Sequence, residues 1–335
     1  MESQIKLKKA ICSGYYGFDN FGDEAVLQVL IKRLRDKYDF TVFSTSPEKT
    51  ARCHNVKSIY SFDYTSIINA IKNTDVLFSG GGSLLQDVTS FKSILYYLLI
   101  IYFAILFQKD VIIFAQGIGP LKSIFSQLLV KNALRQCKLV TVRDKESLEL
   151  LNKWNINATL IDDPVFTIPI PEVKRSNKIG IQLRSFEGVN EQFLNELASQ
   201  VNTFYKDKDI VLISLQDKLD LKVCNKFVSL LNTKSVEIKS NLCVNDAIEE
   251  IAKLETLIAM RFHAALIGFR AGVKVLPIAY DQKVKILANK ANVDYIKLSD
   301  DNNISNKIKY LDNINTEQIK KQFNQANFDI SIFDI

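Results

Sequence analysis

The sequence predicts an α/β fold of two Rossmann-like parallel-sheet domains facing one another across a cleft. Three observations carry that reading. Short apolar runs alternate with helix-length amphipathic stretches along the whole chain, the rhythm of parallel sheets covered on both faces. A proline-rich polar segment, IPIPEVKRSNK, divides the alternation into two sets of units. A length of 335 residues with 47% apolar content is enough for two independent cores.

The elements follow in order. Residues 7–13 read as a first strand that ends in the loop GYYGFDNFGDE, and the next helix places Val26, Leu27, Leu30, Ile31 and Leu34 on one face. A strand at 40–44, a helix around 66–72 and the strand DVLFS lead to Gly80. The run SILYYLLIIYFAILF is shorter than the ~18 apolar residues needed to span a bilayer. It reads as a buried helix between two strands, with an interfacial helix resting on a membrane as the alternative. VIIFA then runs into QGIGP, a helix lies near 125–136, and KLVTVRD and ATLIDDPVF close a first domain over residues 1–167. The second domain, 176–312, has strands at KIGIQLRS, DIVLISL, VEIKS, TLIAM and VKVLPIAY with helices between. Residues 313–335 are expected to form a helix and a tail crossing back to the first domain.

Composition narrows the function. A net charge of +6 reads first as a solvated basic surface, and it is compatible with anionic substrates or an acidic membrane surface. Lysines are spread without a dense run, so nucleic acid is not an expected partner. Cys12, Cys53, Cys137, Cys224 and Cys243 are scattered, odd in number and never in a C-x-x-C pair, which argues against a disulfide framework or a zinc site. The opening MESQIKLKKAICSGYYG lacks the apolar run of a signal peptide, and the expected location is the cytoplasm.

Ligands of open parallel sheets sit beyond the carboxyl ends of the strands, so the strand-to-helix loops hold the candidate binding residues. In residues 14–24, glycines precede a helix whose exposed amides favour an anionic or polar ligand, making Asn20 and Asp23 candidates. The competing reading is that the glycines make a turn and Asp23 caps the helix. The loop does not fit G-x-G-x-x-G, so a dinucleotide is not expected. Gly80, Gly81 and Gly82 let backbone approach a ligand and form an anion-accepting nest, without the ending of a P-loop. Gln116 and Gly117 make a third glycine-rich strand end. Arg143-Asp144 follows LVTV, where the arginine could clamp a carboxylate or phosphate, or the two could simply pair. Arg261 and His263 end TLIAM; in extended backbone, residues two apart face the same side and could meet one ligand. Imidazole is the usual general acid or base near neutral pH, and Lys283 after the next strand adds a cation. His54 has no such company and reads as a surface residue.

Taken together, GYYGFDNFGDEAVL, SGGGSLLQDVTS, AQGIGPL, TVRDKES, DDPVF and MRFHAALIGFRAGVKVLPIAYDQKV resemble the polysaccharide pyruvyl transferase family. The resemblance implies a GT-B-like fold, phosphoenolpyruvate as donor and co-substrate, a glycan acceptor, a pyruvate ketal as product, and no further cofactor or metal. It further implies that Arg143, Arg261 and Lys283 bind the donor and that His263 is catalytic. The acceptor side then falls to the first domain, with Asn20, Asp23, Gly80, Gly81, Gly82, Gln116 and Gly117. Phe262 stands where leucine is common in the family, and Asp19 where a small residue is common. Whether the acceptor is lipid-linked, and whether the chain touches the inner face of the membrane, stays open. The alternatives are a nucleotide-sugar-dependent glycosyltransferase of the same architecture and a non-catalytic glycan-binding protein.

Overall fold

A computed structural model describes residues 7–88, 90–298, 304–325 and 330–333. The chain forms two compact units that divide at Ile168/Pro169, inside the proline-rich segment. The first unit also takes in the closing 3-10 turn Ile330–Phe333, whose Phe333 ring lies 5.0 Å from that of Phe114.

The first unit holds seven strands: β1 (Lys8–Ser13), β2 (Tyr38–Ser44), β3 (Lys57–Tyr60), β4 (Val76–Gly80), β5 (Asp110–Gln116), β6 (Leu139–Val142) and β7 (Thr159–Leu160). All pair in parallel, in the order β3-β2-β1-β4-β5-β6-β7. Helices α1 (Phe21–Leu34), α2 (Pro47–His54), α3 (Tyr64–Lys72), α4 (Phe91–Leu106), α5 (Ile124–Arg135) and α6 (Lys145–Lys153) connect them. The order reverses between β1 and β4, so loops leaving these two strands diverge and open a crevice at their carboxyl ends.

The second unit repeats the plan with six parallel strands: β8 (Ile179–Gln182), β9 (Asp209–Ile213), β10 (Ser235–Lys239), β11 (Thr256–Ala259), β12 (Lys274–Ala279) and β13 (Ile296–Lys297). Their order, β10-β9-β8-β11-β12-β13, reverses between β8 and β11. The helices are α7 (Glu191–Phe204), α8 (Asp217–Val228), α9 (Val244–Ala252), α10 (Phe262–Ala271), α11 (Gln282–Ala291), α12 (Ile304–Tyr310) and α13 (Thr316–Phe323).

Strands buried on both faces read as continuous apolar runs, and every residue of β4, β8 and β11 is buried. Helix starts are set by short polar caps. Asn20, Ser123, Asp144, Asn190 and Asp281 each accept a hydrogen bond from an amide in the first turn that follows. Gly272 ends α10 in the left-handed conformation at φ 73°.

The long apolar stretch is α4, a helix between β4 and β5 as predicted. It buries Ile94, Tyr97, Leu98, Ile100, Ile101 and Ala104, yet leaves Leu99 and Leu106 exposed. No helix among the described residues is long and apolar enough to cross a membrane. Two elements had no sequence signal. α2 (PEKTARCH) lacks an apolar stripe, and β3 is an edge strand with no buried residue. Their place comes from β2, which β3 extends in register from Thr41 to Ser44.

In the second unit α13 covers α10. The rings of Phe269 and Phe323 stack at 5.3 Å, and Arg270 donates through Nε to Asn324 at 3.1 Å. Phe269→Ala is expected to lower stability by about 3–5 kcal/mol, read as a fall in the urea midpoint.

Candidate active site

In the first unit three glycine loops meet at the carboxyl edge of the sheet. Tyr16, fully buried, donates its hydroxyl to the Gly80 carbonyl at 2.8 Å and so ties the β1 loop to the β4 loop across the switch point. Burial drives the Tyr16 phenol well above its ordinary pKa, and nearby Asp23 and Glu24 push the same way, so it acts as a neutral donor. Glu24 braces the loop from the helix: Oε1 accepts from the Gly17 amide at 2.7 Å, and Oε2 lies 2.7 Å from His54 Nε2. His54 is therefore buried, not a surface residue. The helix α2, invisible in the sequence pattern, carries it against Glu24.

The helix cap is Asn20 and not Asp23. Asn20 caps α1, accepting from the Gly22 amide at 3.2 Å, while Asp23 lies buried in the first turn against the triple-glycine loop. A Cβ on Gly82 would sit 2.4 Å from Asp23 Oδ1, and Gly81 and Gly82 have φ of 82° and 65°. The left-handed backbone favours glycine at both positions, and the space does so at Gly82.

The β5 loop is locked onto the β4 loop: the Gly117 amide donates to Gly82 O at 3.0 Å, and the Gly119 amide to Leu85 O at 2.8 Å. Just before it, β5 bulges between Ile113 and Gln116, with Ala115 at φ 49°. Bulges re-aim side chains beside functional sites. Here Gln116 is fully buried, donates to Ser79 Oγ at 3.0 Å, and keeps an Oε1 with no hydrogen bond among the described residues. Arg143 stands on the next strand end, its amide donating to Gln116 O at 3.3 Å. Its Nη1 pairs with Asp163 at 3.1 Å rather than with Asp144, which caps α6 through the Ser147 amide.

In the second unit the switch point is organised by one buried carboxylate. Asp220, with no exposed surface, accepts from Arg261 Nη2 at 2.6 Å and Nε at 2.9 Å. It also accepts from the amides of Leu215 and Gln216, each at 3.0 Å. Gln182 at the end of β8 accepts from the Arg261 amide at 2.7 Å, and Gln216 Oε1 accepts from Arg261 Nη2 at 3.0 Å. The ends of β8, β9 and β11 are thus held through one ion pair. Nη1 of Arg261 makes no hydrogen bond among the described residues.

His263 lies in the first turn of α10, its half-buried ring edge-on to Phe262 at 5.1 Å. The strand-alternation argument does not hold for this pair. Arg261 is the last extended residue, at ψ 131°, and the helix begins at Phe262. What brings Arg261 and His263 to one edge is the tight strand-to-helix turn. Lys283 lies exposed in the first turn of α11, behind the cap Asp281.

A second arginine, unnoticed in the sequence, completes this edge. Arg184 follows β8, and its amide donates to Met260 Sδ at 3.4 Å. Its guanidinium donates through Nη1 to Tyr280 Oη at 3.1 Å and lies 5.0 Å from the centre of the Tyr280 ring and 5.8 Å from that of Phe186. Arg184 is half-buried and makes no ion pair among the described residues. Burial raises the Tyr280 phenol above its ordinary pKa and Asp281 adds to it, while Arg184 and Arg261 both pull against that rise. Both guanidiniums and the Asp281 carboxylate therefore lie within electrostatic reach of one hydroxyl, and Arg261 is paired with Asp220 while Arg184 makes no ion pair among the described residues. A half-buried guanidinium without an ion pair is suited to an anion. Among the described residues no group of His, Cys, Asp and Glu could hold a metal ion.

Two switch-point parallel sheets of this order make a two-unit α/β fold of the GT-B type. The structure is similar to a putative UDP-N-acetylglucosamine 2-epimerase from Listeria monocytogenes, at 12% identity and TM-score 0.64 over 96% of this chain and 92% of that one. It is similar as well to Anabaena HepE, solved with UDP-glucose, at 12% identity and TM-score 0.62 over 98% and 97%. The glycosyltransferase SnogD from Streptomyces nogalater matches at 10% identity and TM-score 0.52 over 96% of each chain. No curated protein matches the sequence. The model of the polysaccharide pyruvyl transferase family matches residues 20–282, and the chain belongs to that family.

Removing one partner of a buried ion pair strands the other charge. Asp220→Asn is expected to cost about 3–5 kcal/mol of stability, measured by urea denaturation.

Proposed function

We propose that the chain transfers the pyruvyl group of phosphoenolpyruvate to two hydroxyls of a cell-surface glycan or its precursor, giving a pyruvate ketal and free phosphate. Family membership supports the reaction class. The observation that carries the donor is the edge of the second unit, where Arg184 bonds Tyr280 without an ion pair and Arg261, paired with Asp220, keeps Nη1 unused. Phosphoenolpyruvate brings a carboxylate and a phosphate, and fixed cations are what such a donor needs.

In this reading Arg143, Arg261 and Lys283 bind the donor, Arg261 through the Nη1 that Asp220 leaves unused. Arg184 joins them. The methylene carbon of the donor takes a proton and becomes the methyl group, and a sugar hydroxyl attacks the adjacent carbon. The phosphate oxygen leaves with its bonding pair, and the second hydroxyl closes the ketal. Of the two hydroxyl protons given up, one is balanced by the new methyl hydrogen and the other leaves on phosphate. His263 moves protons in this sequence, the role a half-buried imidazole at a helix start can fill. The loops holding Asn20, Asp23, Gly80, Gly81, Gly82, Gln116 and Gly117 receive the glycan. The reaction needs no cofactor beyond its two substrates, and its setting is the cytoplasm.

The runner-up is a nucleotide-sugar-dependent glycosyltransferase, since HepE was solved with UDP-glucose. A thermal-shift comparison separates the two: phosphoenolpyruvate should stabilise the chain, and nucleotide sugars should not. Incubation with phosphoenolpyruvate and a glycan panel should give acceptor masses raised by one pyruvate ketal, together with phosphate release. His263→Ala should lose turnover by roughly 10²-fold or more while keeping its fold and donor binding. A folded variant with near-native phosphate release would sink the assignment. Arg184→Met should weaken donor binding by about tenfold, the loss of one charge-assisted contact, with Arg184→Lys recovering part of it. An unchanged KM would make Arg184 a purely structural stacking residue.

A further inference from the structure

We propose that α4 and α5 of the first unit form a docking face for an anionic membrane surface. Ile124, Leu128 and Phe125 on α5 are 74%, 60% and 57% exposed, and Phe91 at the start of α4 and Val88 before it are also exposed. The rings of Phe91 and Phe125 lie 6.4 Å apart, so these side chains belong to one patch rather than to separate spots. Asp87 draws the stretch before α4 to the start of α5, its carboxylate accepting from the amides of Lys122 at 2.7 Å and Ser123 at 2.9 Å. Deeper along the helices, Tyr102 donates to Leu129 O at 2.9 Å and keeps the pair together. A contiguous apolar patch containing two phenylalanines is what a soluble monomer ordinarily avoids.

Charge identifies the occupant. Neither α4 nor α5 contains an acidic residue. Residues 88–143 hold seven lysines and arginines against one acid, Asp110, which is itself paired with Lys138 at 2.7 Å. Lys92 and Lys122, beside the apolar patch, are exposed and make no ion pair among the described residues. The one acid beside the patch, Asp87, is turned onto backbone amides, which hold its carboxyl below the ordinary range. Apolar side chains framed by unpaired lysines suit a helix pair lying on a bilayer of acidic lipids. A second copy of this chain would instead bring the same lysines towards one another.

The position of the patch gives it a use. It begins where the loops after β4 and β5, locked together through Gly82, Leu85, Gly117 and Gly119, run into the two helices. Docking here sets the glycine-loop edge of the first unit at the level of lipid headgroups, where the glycan of a lipid-linked acceptor would lie. That last step rests on the proposed transferase reading; the membrane contact does not.

The test is sedimentation of the whole chain with vesicles of phosphatidylcholine, with and without phosphatidylglycerol. The expected result is binding to the acidic vesicles that weakens with salt. It should fall by about tenfold or more both in Lys92→Glu/Lys122→Glu and in Ile124→Ser/Phe125→Ser/Leu128→Ser. Circular dichroism and melting curves should match wild type, since every altered side chain is exposed. Wild type remaining in the supernatant with acidic vesicles would overturn the proposal, as would binding that neither variant changes. A dimer in light scattering that the triple-serine variant dissociates would also overturn it, by assigning the face to self-association. Ketal formation on a water-soluble acceptor should be the same in these variants as in wild type. Its absence from all of them would count against the transferase reading and leave the vesicle result standing.

Discussion

The pair between Arg261 and Asp220 is the constraint on which the second unit's functional edge depends. One carboxylate, wholly out of solvent, takes both Nε and Nη2 of the guanidinium and two backbone amides of the β9 loop. Gln182 adds the end of β8 by accepting from the Arg261 amide. Charges are held out of water only where geometry and further hydrogen bonds compensate desolvation, and here nearly every lone pair is used. The result is a fixed platform at the switch point, from which α10 sets out with His263 in its first turn and beside which Arg184 stacks on Tyr280.

The first unit solves a related problem with backbone rather than charge. Its loops approach so closely that side chains cannot be added: Gly14 faces the Gly80 carbonyl, Gly82 faces Asp23, and Gly117 faces Ser83. Polar groups behind the loops then hold them in place, with Glu24 gripping the Gly17 amide and His54 standing against the other oxygen. This leaves the buried Gln116 with an Oε1 that makes no hydrogen bond among the described residues. The second unit, by contrast, presents guanidiniums. The two edges carry different side chains although the second sheet repeats the order of the first six strands of the other.

Much of this was legible in the sequence. Strands buried on both faces must be apolar throughout, so β4, β5, β8, β11 and β12 stood out, and their ends led directly to Gly80, Gln116 and Arg261. α2 and β3 did not stand out. One is a short polar helix and the other an edge strand, and neither has the periodic burial that pattern reading detects. Missing α2 caused the misreading of His54, because a single histidine in a polar stretch carries no sign of the glutamate it meets 30 positions away in sequence. Arg184 was passed over inside KIGIQLRS for a similar reason. Nothing local marks an arginine whose aromatic partner, Tyr280, lies 96 positions on.

Residue order by itself determined the alternation of strand and helix, the break at the proline-rich segment, and the set of strand ends at which a ligand can bind. Those follow from local physics: period, caps and the backbone freedom of glycine. Only the tertiary structure decided which charges are spent and which remain. It committed most of Arg261 to Asp220, paired Arg143 with Asp163 instead of its neighbour Asp144, and left Arg184 without a carboxylate. Ion pairing depends on distances across the fold, and no spacing along the chain encodes them.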